Sequence, residues 1–301
     1  MPVTEPSAAA DTPSRSHAVR HCRLPDDPRV AFLLYVPETA GDRAPLFVTV
    51  HGISRNAWEH AELFAPHAEA CGAVLAAPIF DQQTFGKYQR LVSRRPGVLR
   101  SDDALRRIVD RVDQLASVDA ERVYLFGFSG GGQFAHRFAM AYPERVASTV
   151  VGAAGWYTLP DPELAYPYGI GENPKLPGLK FEPDRFLRTP FQVLVGPRDV
   201  SRDWALRKSA KLDGLQGQTR VERGERWIAA MREAATRHGV LAPRLRFDLL
   251  SGGRHSFAKT MKRHDLAAAT FAAFGLTPTA SDPADADLAR MSHPITTMSP
   301  Q

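Results

Sequence analysis

Val123-Tyr124-Leu125-Phe126-Gly127-Phe128-Ser129-Gly130-Gly131-Gly132-Gln133-Phe134-Ala135 is the stretch on which the reading of this chain turns. Residues 123–126 are an apolar run with the look of a buried strand, and 133–142 read as a helix that stops before Pro143. Between them stands Gly-x-Ser-x-Gly at 127–131. As a five-residue pattern it is weakly specific, but the strand before it and the helix after it are the setting that such a motif needs. A serine on so sharp a turn is forced into strained backbone, and side chains two residues to either side would collide with strand and helix. Glycine at 127 and 131 relieves that crowding. The turn also sets the hydroxyl at a helix N-terminus, where free N–H groups and the positive dipole end favour developing negative charge.

Outward from this point, strands and helices alternate. Short apolar runs bounded by Pro and Gly predict strands at 31–36 and 46–50, with a third at 73–79 after a helical stretch at 58–69. Over 102–115, Leu105, Ile108, Val109, Val112 and Leu115 recur at helical spacing, and Ser101 with Asp102 is expected to cap that helix. Strands follow at 146–151, 191–195 and 245–250, with helices at 221–238 and 257–274. This alternation predicts an α/β domain over 17–275, a mostly parallel sheet with helices on both faces. Only 157–190 breaks the rhythm, with seven prolines and five aromatics, and reads as a lid-like excursion. Residues 1–16 and 276–301 are biased to Ala, Pro, Ser and Thr, and are expected to be disordered tails.

A serine hydroxyl needs a general base, and the base needs an orienting carboxylate. Asp199 in Val-Gly-Pro-Arg-Asp follows the strand at 191–195, and His255 in Ser-Gly-Gly-Arg-His follows the strand at 245–250. Ser129, Asp199 and His255 would then meet at the carboxyl edge of the sheet, where open α/β sheets bind ligands. Asp203, four residues on, is the rival acid; His238 and His264 are rival bases, both on predicted helices. His51-Gly52-Ile53 follows the strand at 46–50, so the amides of Ile53 and Gly130 are candidate oxyanion donors. His51 is expected to be structural, as is His136. Trp156, Tyr157, Tyr166 and Tyr168 either line an acyl pocket or pack the Pro-rich segment down.

Net charge is +5, but arginines such as 106 and 107 are interleaved with Asp102, Asp103 and Asp110, the pattern of solvated helix surface; no nucleic-acid partner is expected. Cys22 and Cys71 lack neighbours at metal-ligand spacing, so no zinc site is expected, and two free thiols are favoured over a disulfide. With no basic cluster leading into an apolar run at the N-terminus, and no apolar run of membrane-spanning length, the expectation is a cytoplasmic protein without membrane partners. Oligomeric state is left open.

His51-Gly52, the elbow at 127–131, then Asp199 and His255 in that order resemble the α/β-hydrolase superfamily over 17–275. The segment 127–135 is more narrowly similar to polyhydroxyalkanoate depolymerase-like and feruloyl-esterase-like bacterial hydrolases. The resemblance implies acylation of Ser129 with His255 as base, hydrolysis of the acyl-enzyme by water, and no metal or organic cofactor. A small soluble ester is the expected substrate. A peptidase or amidase using the same triad is the first alternative; a binding protein on a hydrolase scaffold is the second.

Overall fold

The computed structural model describes residues 18–93, 97–173, 176 and 178–278. Of the two expected tails, only residues 276–278 fall within the described chain; the rest lie outside it. A single eight-stranded sheet organises the molecule, in the order β1-β2-β4-β3-β5-β6-β7-β8. The strands are β1 (Arg20–Arg23), β2 (Ala31–Tyr35), β3 (Ala44–Val50), β4 (Val74–Ile79), β5 (Val118–Phe128), β6 (Val146–Gly152), β7 (Phe191–Val195) and β8 (Leu245–Leu249). Pairs β1/β2 and β2/β4 are antiparallel, and all others are parallel.

Parallel strands buried on both faces are apolar throughout, and alternate residues serve opposite layers. In β3, Leu46, Val48 and Val50 join one core, whereas Phe47 joins the other. The first core is closed by α2 (Ser101–Leu115), α3 (Gly130–Ala141) and α6 (Arg220–Arg237), and the second by α1 (Ala57–Ala70), α7 (Phe257–Arg263) and α8 (Leu266–Phe274). Two short helices, α4 (Pro183–Phe186) and α5 (Ala210–Gln216), complete the set. Among the described residues no helix is long and apolar enough to cross a membrane, and Cys22 and Cys71 are free thiols.

Two expectations are corrected. The helix foreseen over 257–274 is two, because Asp265 takes a left-handed backbone (φ 51°) between them. Ser101 does not cap α2: Arg100 holds that position, and the buried Ser101 hydroxyl donates to the carbonyl of Tyr88 at 2.8 Å. The described residues of 157–190 are largely irregular and are held down by aromatic packing and hydrogen bonds. Tyr166 stacks on Phe181 and donates to the Arg90 carbonyl at 2.7 Å, and the Trp227 indole donates to the Thr158 carbonyl at 2.8 Å.

Phe47 sits where the second core is densest, with ring centroids 5.0 Å from Phe64, 5.1 Å from Phe271 and 5.9 Å from Phe274. Phe47→Ala is expected to lower unfolding free energy by about 3–5 kcal/mol, read from urea denaturation; a loss under about 1 kcal/mol would show that this layer repacks freely.

Candidate active site

The turn from β5 to α3 carries Ser129 at φ 55° and ψ −111°, strained backbone for a residue with a side chain. A Cβ on Gly131 would lie 1.9 Å from the Val50 carbonyl oxygen, and one on Gly127 would lie 2.1 Å from that of Gly131, so only glycine lets α3 begin directly at the strand end. The Ser129 amide donates to the Gly152 carbonyl at 2.7 Å, which ties the elbow to β6.

The two neighbouring strand ends deliver the partners. A Cβ on Gly196 would lie 2.2 Å from the backbone of Gly253, so the loops after β7 and β8 run in backbone contact, and the Arg198 amide donates to the Gly253 carbonyl at 3.1 Å. This contact aligns Asp199 and His255. Asp199 Oδ2 accepts from His255 Nδ1 at 2.7 Å, and since a carboxylate can only accept, Nδ1 carries the ring hydrogen. Nε2 is then free to accept from Ser129 Oγ, 3.0 Å away. Asp203 does not reach His255; its carboxylate pairs with Arg220 and accepts from the amides of Ala205 and Leu206. Nor are the rival histidines involved: His238 pairs with Asp184 at 2.8 Å, and His264 lies against Gly252.

Ile53 and Gly130 come together as the sequence suggested: a Cβ on Gly130 would lie 3.2 Å from the Ile53 amide nitrogen, and neither amide donates to another described residue. His51 holds the Ile53 turn. Its Nε2 accepts from the Phe80 amide at 3.1 Å, so Nδ1 carries the hydrogen and donates to the Gly52 carbonyl at 2.8 Å. Burial pushes its pKa down to about 4. His136 is likewise structural, a buried neutral ring between the Gly132 carbonyl and the Thr158 amide.

Ser129 and His255 open onto a cleft of about 410 Å³ lined by Ile53, Asn56, Phe128, Trp204, Phe257 and neighbouring residues. Trp204 is 87% exposed. Trp156 and Tyr157 do not line it. Tyr157 is fully buried, its ring stacked on Trp227 at 4.9 Å, and Trp156 is buried beneath the guanidinium of Arg137 at 4.3 Å. Of the two readings for this aromatic group, the packing one describes both residues. Sequence reasoning missed Trp204, whose signal was its place five residues after Asp199 in the same loop, and Arg220, for which the sequence held none.

Residues 45–184 match the model of the alpha/beta hydrolase fold family, and with this sheet order and elbow the chain has the α/β-hydrolase fold. Over 123 residues it is 32% identical to NocK of Nocardia uniformis subsp. tsuyamanensis, provisionally named an esterase; the match covers 40% of this chain and 35% of NocK's own length. Among solved structures it is similar to LpqC, a poly(3-hydroxybutyrate) depolymerase of Bordetella parapertussis (24% identity, 91% of this chain and 94% of that one, TM-score 0.71). It is similar too to poly(aspartic acid) hydrolase-1 of Sphingomonas sp. KT-1 (24% identity, 79% and 93%, TM-score 0.69). The two structural likenesses bear on fold.

Two stability outcomes follow from this geometry. Gly131→Ala is expected to cost about 3 kcal/mol, visible as a lowered melting temperature; an unchanged melt would mean that the Val50 contact relaxes easily. Because His51 is held neutral with its pKa near 4, against about 6.5 when unfolded, the unfolded chain binds the extra proton first. Its contribution is present above pH 6.5 or so and is lost as pH falls towards 4, on the order of 3 kcal/mol in all. His136 acts in the same direction. Denaturation midpoints that stay level from pH 7 to pH 4 would contradict this.

Proposed function

We propose that the chain is a serine hydrolase of carboxylic esters, with Ser129 as nucleophile, His255 as general base and Asp199 as orienting acid. The observation that carries the reading is the unbroken line of hydrogen bonds Ser129–His255–Asp199, at 3.0 and 2.7 Å, ending beside two unengaged amides. As Oγ attacks the ester carbonyl, its proton passes to His255 Nε2, and the Asp199 carboxylate stabilises the resulting imidazolium. The tetrahedral oxyanion is received by the Ile53 and Gly130 amides. Collapse expels the alcohol, which takes the proton from His255. Water then attacks the acyl-enzyme with His255 again as base, releasing the acid and restoring Ser129.

The esterase name of NocK supports ester over amide as the bond cleaved. The small cleft, apolar at Ile53, Phe128 and Phe257, suits a compact small-molecule ester with the exposed Trp204 at its rim.

Ser129→Ala is expected to lower turnover of p-nitrophenyl esters at least roughly 10⁴-fold, and Asp199→Asn about as much. A fluorophosphonate probe should label Ser129 in the wild type. In a chain-length series of esters, Trp204→Ala should change the preference and Trp156→Ala should not. A folded wild type with neither turnover nor label would favour the binding-scaffold alternative.

A further inference from the structure

Arg220 is the first residue of α6 and its side chain is fully buried. Nη1 donates to Asp199 Oδ1 at 3.0 Å and to Asp203 Oδ2 at 3.2 Å, and Nη2 donates to Asp203 Oδ1 at 2.9 Å. The Asp203 carboxylate also accepts from the amides of Ala205 and Leu206, both at 3.0 Å, and so forms the turn that brings Trp204 and Ala205 into the cleft wall. One guanidinium thus meets both the acid behind His255 and the turn that shapes the cleft. Tyr157, in the segment after β6, also feels this cluster, its phenol pushed up by burial and by the Asp199 charge. Arg223, on the same helix, pairs with Asp213, which also pairs with Arg202. Burial works against the charge on Asp203, but the hydrogen bond and charge of Arg220 outweigh it, with a smaller contribution from His255, and hold its carboxyl below the usual range.

We propose that Arg220 is a positioning residue that fixes the triad acid and the cleft wall as one unit, and that Asp203 sets how much of its positive charge the Asp199–His255 pair feels. This rests on the triad reading above. The working pair is an ionised carboxylate and a neutral imidazole, and it stops working when it takes up a proton at the acid limb of the pH–rate profile. A nearby positive charge opposes that proton, and a nearby negative charge favours it. The sign is the same wherever in the coupled pair the proton settles. Loss of the Arg220 charge therefore moves the acid limb to higher pH, and loss of the Asp203 charge moves it to lower pH. Side chains that only filled space would not produce shifts of opposite sign.

The test is kcat/KM for p-nitrophenyl butyrate against pH in the wild type, Arg220→Gln, Arg220→Lys and Asp203→Asn, each checked for its melt and for fluorophosphonate labelling of Ser129. The limb should rise by about one pH unit in Arg220→Gln, return towards the wild-type position in Arg220→Lys, and fall by several tenths of a unit, roughly, in Asp203→Asn. Arg220→Gln should also raise KM, whereas the asparagine keeps an acceptor for the Ala205 and Leu206 amides and leaves KM near the wild-type value. Limbs that stay put, or that move the same way in the glutamine and asparagine variants, overturn the proposal. If Arg220→Gln does not fold, an unmoved or raised limb in Asp203→Asn overturns it alone. A wild type with no turnover and no label overturns the ester-hydrolase reading and this inference together, whereas an active wild type with unmoved limbs removes only this one.

Discussion

The site depends on a backbone contact: the carbonyl of Val50 at the end of β3 occupies the space where any residue but glycine at 131 would place its Cβ. That contact lets α3 start at Gly130, with Ser129 alone between it and the end of β5. Ser129 is left at the apex in left-handed backbone, with its amide secured on β6. Strain of this kind persists only where the surroundings over-determine it, and here three adjacent strand ends do so. The same closeness brings the Gly130 amide beside that of Ile53, so the Ser129 hydroxyl and these two amides are grouped by one packing decision.

Beside the elbow, two buried histidines, His51 and His136, are fixed by having both ring nitrogens engaged. Each is kept neutral by burial, so the active edge is built on imidazoles that act as shaped hydrogen-bonding inserts and not as acids or bases. His255 differs because one of its nitrogens meets the Asp199 carboxylate and the other meets the Ser129 hydroxyl. A buried guanidinium is costly to desolvate unless well paired, and Arg220 and Arg223 each meet carboxylates.

Much of this was legible in the sequence because it is local or ordered along the chain. Apolar runs marked every strand from β2 to β8, and the motif at 127–131 lay between a strand and a helix. Asp199 and His255 each followed a strand, which placed them at one edge. What escaped depends on contacts the sequence does not express. β1 was missed because Arg20-His21-Cys22-Arg23 is half-buried and charged, and α5 because it is short and contains Gly214. The break at Asp265 is invisible where apolar periodicity runs on through it. Asp199 and Asp203 share a loop and differ only in which side chain each meets. Trp156 and Tyr157 follow the right strand but turn inward, and the tryptophan at the cleft comes from the loop that also bears Asp199.

The antiparallel edge has a consequence for the protein in company. Among the described residues, strand β1 leaves one side of its backbone unpaired at the rim of the sheet, a template on which a second chain could add a strand. Antiparallel addition of another copy would set Arg20 and Arg23 against like charges, and at the opposite rim β8 carries Arg246 and Asp248. The β1 border of the sheet is thus posted with like charge, which disfavours antiparallel growth through that edge.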